Sequence, residues 1–294
     1  MTTLADSVSV RPTSLPRRRR DSFWLLISPI VFAYAMFFAA PMLLLMAASV
    51  SPETGPAGFR NWGKFLTDPY YLNAALQTMK LGMLVVVSTT LLAFPLMLVY
   101  RVASPLGRRL ILFAAILPFL TSVVVRTFAW IAILSREGVI NQSLLALGAI
   151  AEPLRLLPSE IGLVLALTQI ELPFMLLPLL SVANRIDPGV IDASRSLGSS
   201  EFRTMVRVIV PLTLPGLIAG WLLVFASSVT AFVSQSIIGG ARLSYLPNLI
   251  YQNALVNFDW SFAAVVALVL LICVLVIVTI LKQLVAQAER RVYG

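Results

Sequence analysis

Histidine is missing altogether from this 294-residue chain, and cysteine occurs once, at Cys273. Without histidine or a second cysteine, the common zinc sites and the Ser/His or Cys/His nucleophile pairs cannot be assembled within the chain. One cysteine, set in an apolar run, also excludes an intramolecular disulfide and with it a disulfide-stapled external domain. Charge is scarce: Asp, Glu, Lys and Arg make up 12% of the residues, about half the share in a soluble domain. No Gly-x4-Gly-Lys-Ser/Thr phosphate loop occurs, so the chain cannot bind ATP in the P-loop manner. Neither an enzyme nor a metal site is expected.

What fills the chain is hydrocarbon. Apolar residues are 59% of the total, the mean hydropathy is +0.92, and several runs exceed the roughly 18 residues that mark a membrane span. The fold class is therefore an all-α polytopic membrane protein. Six transmembrane helices are expected, at Phe23–Val50, Thr78–Val102, Arg109–Leu134, Glu160–Ala183, Val206–Ser234 and Phe262–Ala286. The first run is far longer than the roughly 7–15-residue core of a cleavable signal peptide and reads as an uncleaved span. Residues 1–22, with Arg17 to Arg20 in a row, read as a disordered basic tail on the cytoplasmic side.

The formal charge of +9 would suggest nucleic acid on a soluble protein; here it follows the membrane. With the N-terminus inside, 15 Lys and Arg lie on the cytoplasmic side and five outside, the bias expected of a span set with both termini in the cytoplasm. No nucleic-acid partner is needed, and membrane lipid is the one surrounding that the composition demands. The external segments 51–77, 135–159 and 235–261 are too short for a separate domain. Prolines within the spans, Pro118, Pro173, Pro178, Pro211 and Pro215 among them, predict kinks.

The most informative stretch is 184–207, too polar to span. Asp187-Pro188 has the chemistry of a helix cap followed by proline at the first helical position, and Gly198 with Ser199-Ser200 reads as a stop and a new cap. Two short helices at an angle are predicted, with Val190, Ile191, Ala193 and Leu197 toward the membrane domain. Asp192, Arg195, Glu201 and Arg203 stay in water and Phe202 stands at the bend. Such an elbow suits docking into a partner's groove.

Asp192-Ala193-Ser194, then Gly198, then nine residues to Val208, Val210 and Pro211 resembles the EAA loop of ABC-importer permeases, Glu-Ala-Ala, three residues, Gly, nine residues, Ile-x-Leu-Pro. Further blocks, Phe65 to Tyr71, Val125 to Trp130, Gly138 to Asn141, Leu172 to Met175 and Gly239-Gly240 with Asn248 to Ile250, are similar to permeases of the spermidine/putrescine type within the MetI-like superfamily. The resemblance implies a type I ABC-importer permease (MetI-like) fold over 23–294. It implies that Asp192, Ala193, Ser194, Leu197, Gly198, Ser199, Glu201, Phe202 and Arg203 couple to an ATPase. It also implies partners: two copies of an ABC ATPase that bind ATP and Mg, a second permease and a periplasmic substrate-binding protein. The setting it implies is a bacterial inner membrane. The expected cargo is a small polar solute, foremost a polyamine; opines, amino acids and aminophosphonates are the alternatives. Relatives of that type commonly carry an acidic residue three positions before the Gly-Gly pair, where this chain has Ser236.

Glu171, about 16 Å into its span, is costly near the midplane unless paired or facing a wet cavity. It could meet a substrate ammonium or pair with Arg126. Trp130, Tyr245, Trp260 and Asp259 near the outer boundary, with Gln235 and Ser236, complete the candidate substrate path; aromatic faces attract ammonium cations. A self-sufficient secondary transporter or channel is the rival class, for which Glu171 alone speaks.

Overall fold

The computed structural model describes residues 20–50, 59–240 and 243–293, in which every regular element is helical. Residues 1–19 of the expected basic tail lie outside them, and its last three, Arg20 to Ser22, form the first turn of a helix. The chain divides into two compact units, residues 1–48 and 49–294. The first holds α1 (Arg20–Tyr34), which runs through a π turn, Ala35–Ala39, into α2 (Ala40–Val50), of which it takes all but the last two residues.

The second unit carries α3 (Arg60–Thr67), α4 (Pro69–Val102), α5 (Pro105–Ile116), α6 (Val123–Leu134), α7 (Val139–Ala146) and α8 (Glu160–Ala183). There follow α9 (Pro188–Ser196), α10 (Glu201–Thr204), α11 (Val210–Val229), α12 (Phe232–Ser234), α13 (Leu246–Tyr251) and α14 (Trp260–Tyr293). The π turns at 35–39 and 205–209 each end two residues before a proline, Pro41 and Pro211. A widened turn there relieves the crowding that the proline ring imposes on the carbonyl one turn earlier.

Among the described residues, five helical runs are long and apolar enough to cross a membrane, and the pair Pro105–Leu120 and Val123–Ala146 makes a sixth if taken as one crossing. That pair corrects the expected continuous span Arg109–Leu134: the chain bends by 106° between its halves. Pro118 tightens the end of the first half into a 3-10 turn, Leu117–Leu120, and the Thr121 hydroxyl closes on the Pro118 carbonyl at 2.7 Å. The expected fifth span also stops early, at Val229 rather than Ser234. There the Thr230 hydroxyl takes the Ala226 carbonyl at 2.9 Å and the helix ends.

The core lies where α4, α8 and α11 pack on one another, around Leu81, Val85, Leu167, Leu179, Val224 and Phe225, all fully buried. Gly216 and Gly220, one turn apart on α11, let the two backbones meet: a β-carbon on Gly220 would stand 3.2 Å from the Met175 main chain of α8. Small residues four apart are the usual means of close helix approach where hydrocarbon surrounds the pair. Polar ties finish the bundle. Trp221 Nε1 donates to Thr90 Oγ1 at 2.9 Å, joining α11 to α4, and the Leu246 amide donates to Thr78 Oγ1 at 2.9 Å, joining α13 to α4. Asn141 pins the 135–154 connection, its amide bonded to the Ser135 and Leu154 carbonyls and its oxygen to the Leu154 amide.

Candidate functional site

The 187–205 elbow is built by local chemistry. Asp187 Oδ1 accepts the Gly189 amide at 2.9 Å, and Pro188 opens α9 without an N–H to leave unsatisfied. Gly198 ends the helix in the left-handed region, φ +81°. The Gly198 and Ser199 amides close on the Arg195 and Ser194 carbonyls at 2.9 and 3.2 Å. Ser200 Oγ then accepts the Arg203 amide at 3.3 Å and starts α10. The two short helices are locked together. Arg195 meets both Glu201 oxygens, at 2.9 and 3.0 Å, with Asp192 at 3.7 Å, and Ser194 Oγ lies 3.0 Å from Thr204 Oγ1. The bond to Glu201 raises the Arg195 pKa further, so the brace stays charged.

One expectation is overturned here. Val190, Ala193 and Leu197 do not face the membrane domain; they are exposed, Leu197 at 87%, and Phe202 stands out at 72%. The face turned inward carries Ile191 and Ser194, with Thr204 of α10 buried beside it. The stripe at 190, 193 and 197 repeats at helical spacing, so α9 is amphipathic with its apolar side outward.

Within the bundle, a cavity of about 410 Å³ is lined by Arg126, Glu171, Ser227, Phe119, Phe174 and Phe232 among others. Glu171 is 2% exposed. Ser227 Oγ donates to its Oε1 at 2.8 Å, while Oε2 is buried with no partner. Arg126 Nε and Nη1 are also buried without partners. Among the described residues, ion pairs within 4.0 Å join Lys80 to Glu160 and Arg195 to Asp192 and Glu201; Arg126 and Glu171 stand farther apart.

The other expected path residues are dispersed. Trp130 Nε1 donates to Gln169 Oε1 at 3.2 Å, tying α6 to α8. Gln235 is fully buried, and its amide serves the Ser228 and Val229 carbonyls at the end of α11, at 3.0 and 3.3 Å. Ser236 donates to Asn248 Oδ1 at 2.7 Å on the wall of an adjoining cavity of about 760 Å³, which shares Phe232 and Val233 with the first. Tyr245 lies wholly inside the core, and Asp259 Oδ1 accepts the Phe262 amide at 2.9 Å in the first turn of α14. Trp260 is 57% exposed at the edge of a third cavity. Of the eight, Arg126 and Glu171 line the same cavity. Ser227 was not foreseen: it sits in an apolar run 56 residues from its partner, and nothing local marks it.

Comparison with known proteins places these features in a family. Residues 82–292 match the family described as the binding-protein-dependent transport system inner membrane component. The spermidine/putrescine transport system permease protein PotB of Haemophilus influenzae is 31% identical over 246 residues, 81% of this chain and 86% of that protein. PotB of Escherichia coli is 33% identical over 207 residues, 70% of this chain and 75% of its own length. The fold matches a bacterial ABC transporter involved in the import of the acidic polysaccharide alginate, with a TM-score of 0.74 at 18% identity, covering 93% of this chain and 98% of that one. The chain belongs to the family of inner membrane components of binding-protein-dependent transport systems, and it is a permease subunit of an ABC importer.

Proposed function

We propose that the chain imports a small amine-bearing solute through the cavity at Glu171, driven by ATPases that grip its 187–205 elbow. The observation that carries the coupling role is the outward apolar stripe of α9, with Leu197 and Phe202 exposed on either side of the left-handed Gly198. A stiff, doubly braced elbow with its greasy side outward is what a partner's groove requires. Asp192, Ala193, Ser194, Ser199, Glu201 and Arg203 form its body.

The elbow also connects mechanically to the cavity. Glu201 to Val229 is one helical run of membrane-spanning length, and Ser227 near its far end holds the Glu171 carboxyl. A push at Glu201 is therefore delivered about 40 Å away, where it shifts Ser227 against Glu171. ATP-driven closure of two ATPase subunits, which bind the ATP and Mg, would supply that push and exchange inward- and outward-facing states. A second permease completes the pore and a periplasmic binding protein delivers the solute. Both termini lie in the cytoplasm, the orientation that the lysine and arginine bias favours.

An amine is supported by the carboxyl in the membrane cavity and by the names of the spermidine/putrescine relatives. Reconstitution in liposomes with the co-encoded ATPase, second permease and binding protein tests the reading. Uptake of labelled putrescine or another small amine should require ATP and all the partners. Uptake by this chain without nucleotide would contradict it.

A further inference from the structure

The cavity at Glu171 holds a second charge that the amine reading leaves unanswered. Arg126, from α6, lines the same space, with two guanidinium nitrogens buried and unpartnered. Glu171 keeps one oxygen free, Ser227 having taken the other. The two groups are more than 4.0 Å apart, so they attract one another across the cavity without closing a direct ion pair. A buried carboxyl and a half-buried guanidinium left without direct partners are costly, and a ligand that answers both lowers that cost.

Resting on the reading that this cavity lies on the import path, we propose that it receives a zwitterion: a short aliphatic solute with an ammonium at one end and an anion at the other. The ammonium goes to Glu171 and Ser227, the anion to the Arg126 guanidinium. A diamine satisfies Glu171 but sets its other ammonium against a guanidinium; a dianion satisfies Arg126 and meets a carboxylate. Like charges in a site of low dielectric repel strongly. The apolar part of the solute has a wall waiting. Phe119 and Phe174 stand edge to face at 5.3 Å on one side of the cavity, and Phe232 also lines it. A volume of about 410 Å³ is at the small end of ligand pockets and has ample room for a short aliphatic solute.

The test uses the complete transporter in lipid nanodiscs without its binding protein, so that selection reads the cavity alone. Three probes of equal carbon number, putrescine, γ-aminobutyrate and butanedioate, are titrated by calorimetry. γ-Aminobutyrate should bind about 10- to 100-fold tighter than the other two, the worth of one charged hydrogen bond lost. Glu171→Gln, which is isosteric, and Arg126→Gln should each abolish that preference, and Arg126→Lys should keep most of it; gel filtration confirms assembly of each variant. Putrescine binding tightest, binding of none of the three, or a preference indifferent to Glu171→Gln overturns the proposal. If ATP-driven amine uptake survives that outcome, the permease reading stands and only the zwitterion falls; loss of ATP dependence in the unaltered transporter would strike the permease reading itself.

Discussion

Replacing Gly198 with valine is expected to release the ATPase while leaving the chain correctly inserted. A β-carbon at this position meets nothing within 4 Å, so the damage is not a clash. It is the backbone. Gly198 sits at φ +81°, where a side-chain-bearing residue costs roughly 1–2 kcal/mol and a β-branched one is an outlier. The chain relieves this by returning to negative φ, which breaks the Gly198 and Ser199 amide bonds that close α9 and swings α10 out of line. Leu197 and Phe202 then no longer present one surface. Co-purification of the ATPase should fall about tenfold, the equivalent of about 1.4 kcal/mol. Gly198→Asn, which tolerates the left-handed region, should retain most of it. Equal ATPase recovery with valine and glycine would show that the bend does not set the docking surface.

The second large effect is expected at Gly220. A side chain there would drive its β-carbon to 2.6 Å from Met175 sulfur and 3.2 Å from the Met175 main chain. The sulfur can move but the backbone cannot. Gly216 presents the same problem one turn away, 2.9 Å from the Pro178 carbonyl. Gly220→Leu must therefore push α11 off α8, the packing on which the core and the Ser227–Glu171 contact both depend. Overpacking of this kind costs about 1–3 kcal/mol or more, equivalent to a loss of roughly 2–12 °C in melting temperature for a domain of this size. Thermal scans in detergent, read by fluorescence-detected gel filtration, measure it. A melting temperature within a degree or so of the parent's would mean that the two helices do not pack as described.

How much of this could be read from residues alone depended on whether the cause was local. The elbow's caps were legible because Asp187, Pro188 and Gly198 act on main chain two or three positions away. The crossings were legible as apolar runs. Pro118 was ambiguous, since a proline in such a run looks the same whether the helix kinks or stops; the neighbouring Thr121 hydroxyl decided for stopping. Leu197 was misassigned for a different reason. Hydrophobicity says that a residue is to be covered, not by what, and an apolar stripe left exposed on a helix reads in the sequence like one facing its own core. Gln235 and Asp259 looked available as polar groups near the outer boundary, yet the Gln235 amide nitrogen and the Asp259 carboxylate are engaged by nearby main chain, which leaves Gln235 Oε1 buried without a partner. The meeting of Glu171 with Ser227 was invisible because it spans two helices. The close approach at Gly216 and Gly220 emerges only from the structure, although small residues four apart are the usual means of it.

The central claim is that the elbow's outward apolar tip lies in a cytoplasmic ATPase. Cysteine cross-linking addresses it directly, because the single native thiol is easily removed with Cys273→Ser. In that background Leu197→Cys, assembled with a partner ATPase carrying cysteines around its membrane-facing cleft, should give a cross-linked heterodimer whose yield changes on adding ATP. If instead the introduced thiol is labelled by an impermeant maleimide from the periplasmic side, or never joins the ATPase at any cleft position, the account is wrong.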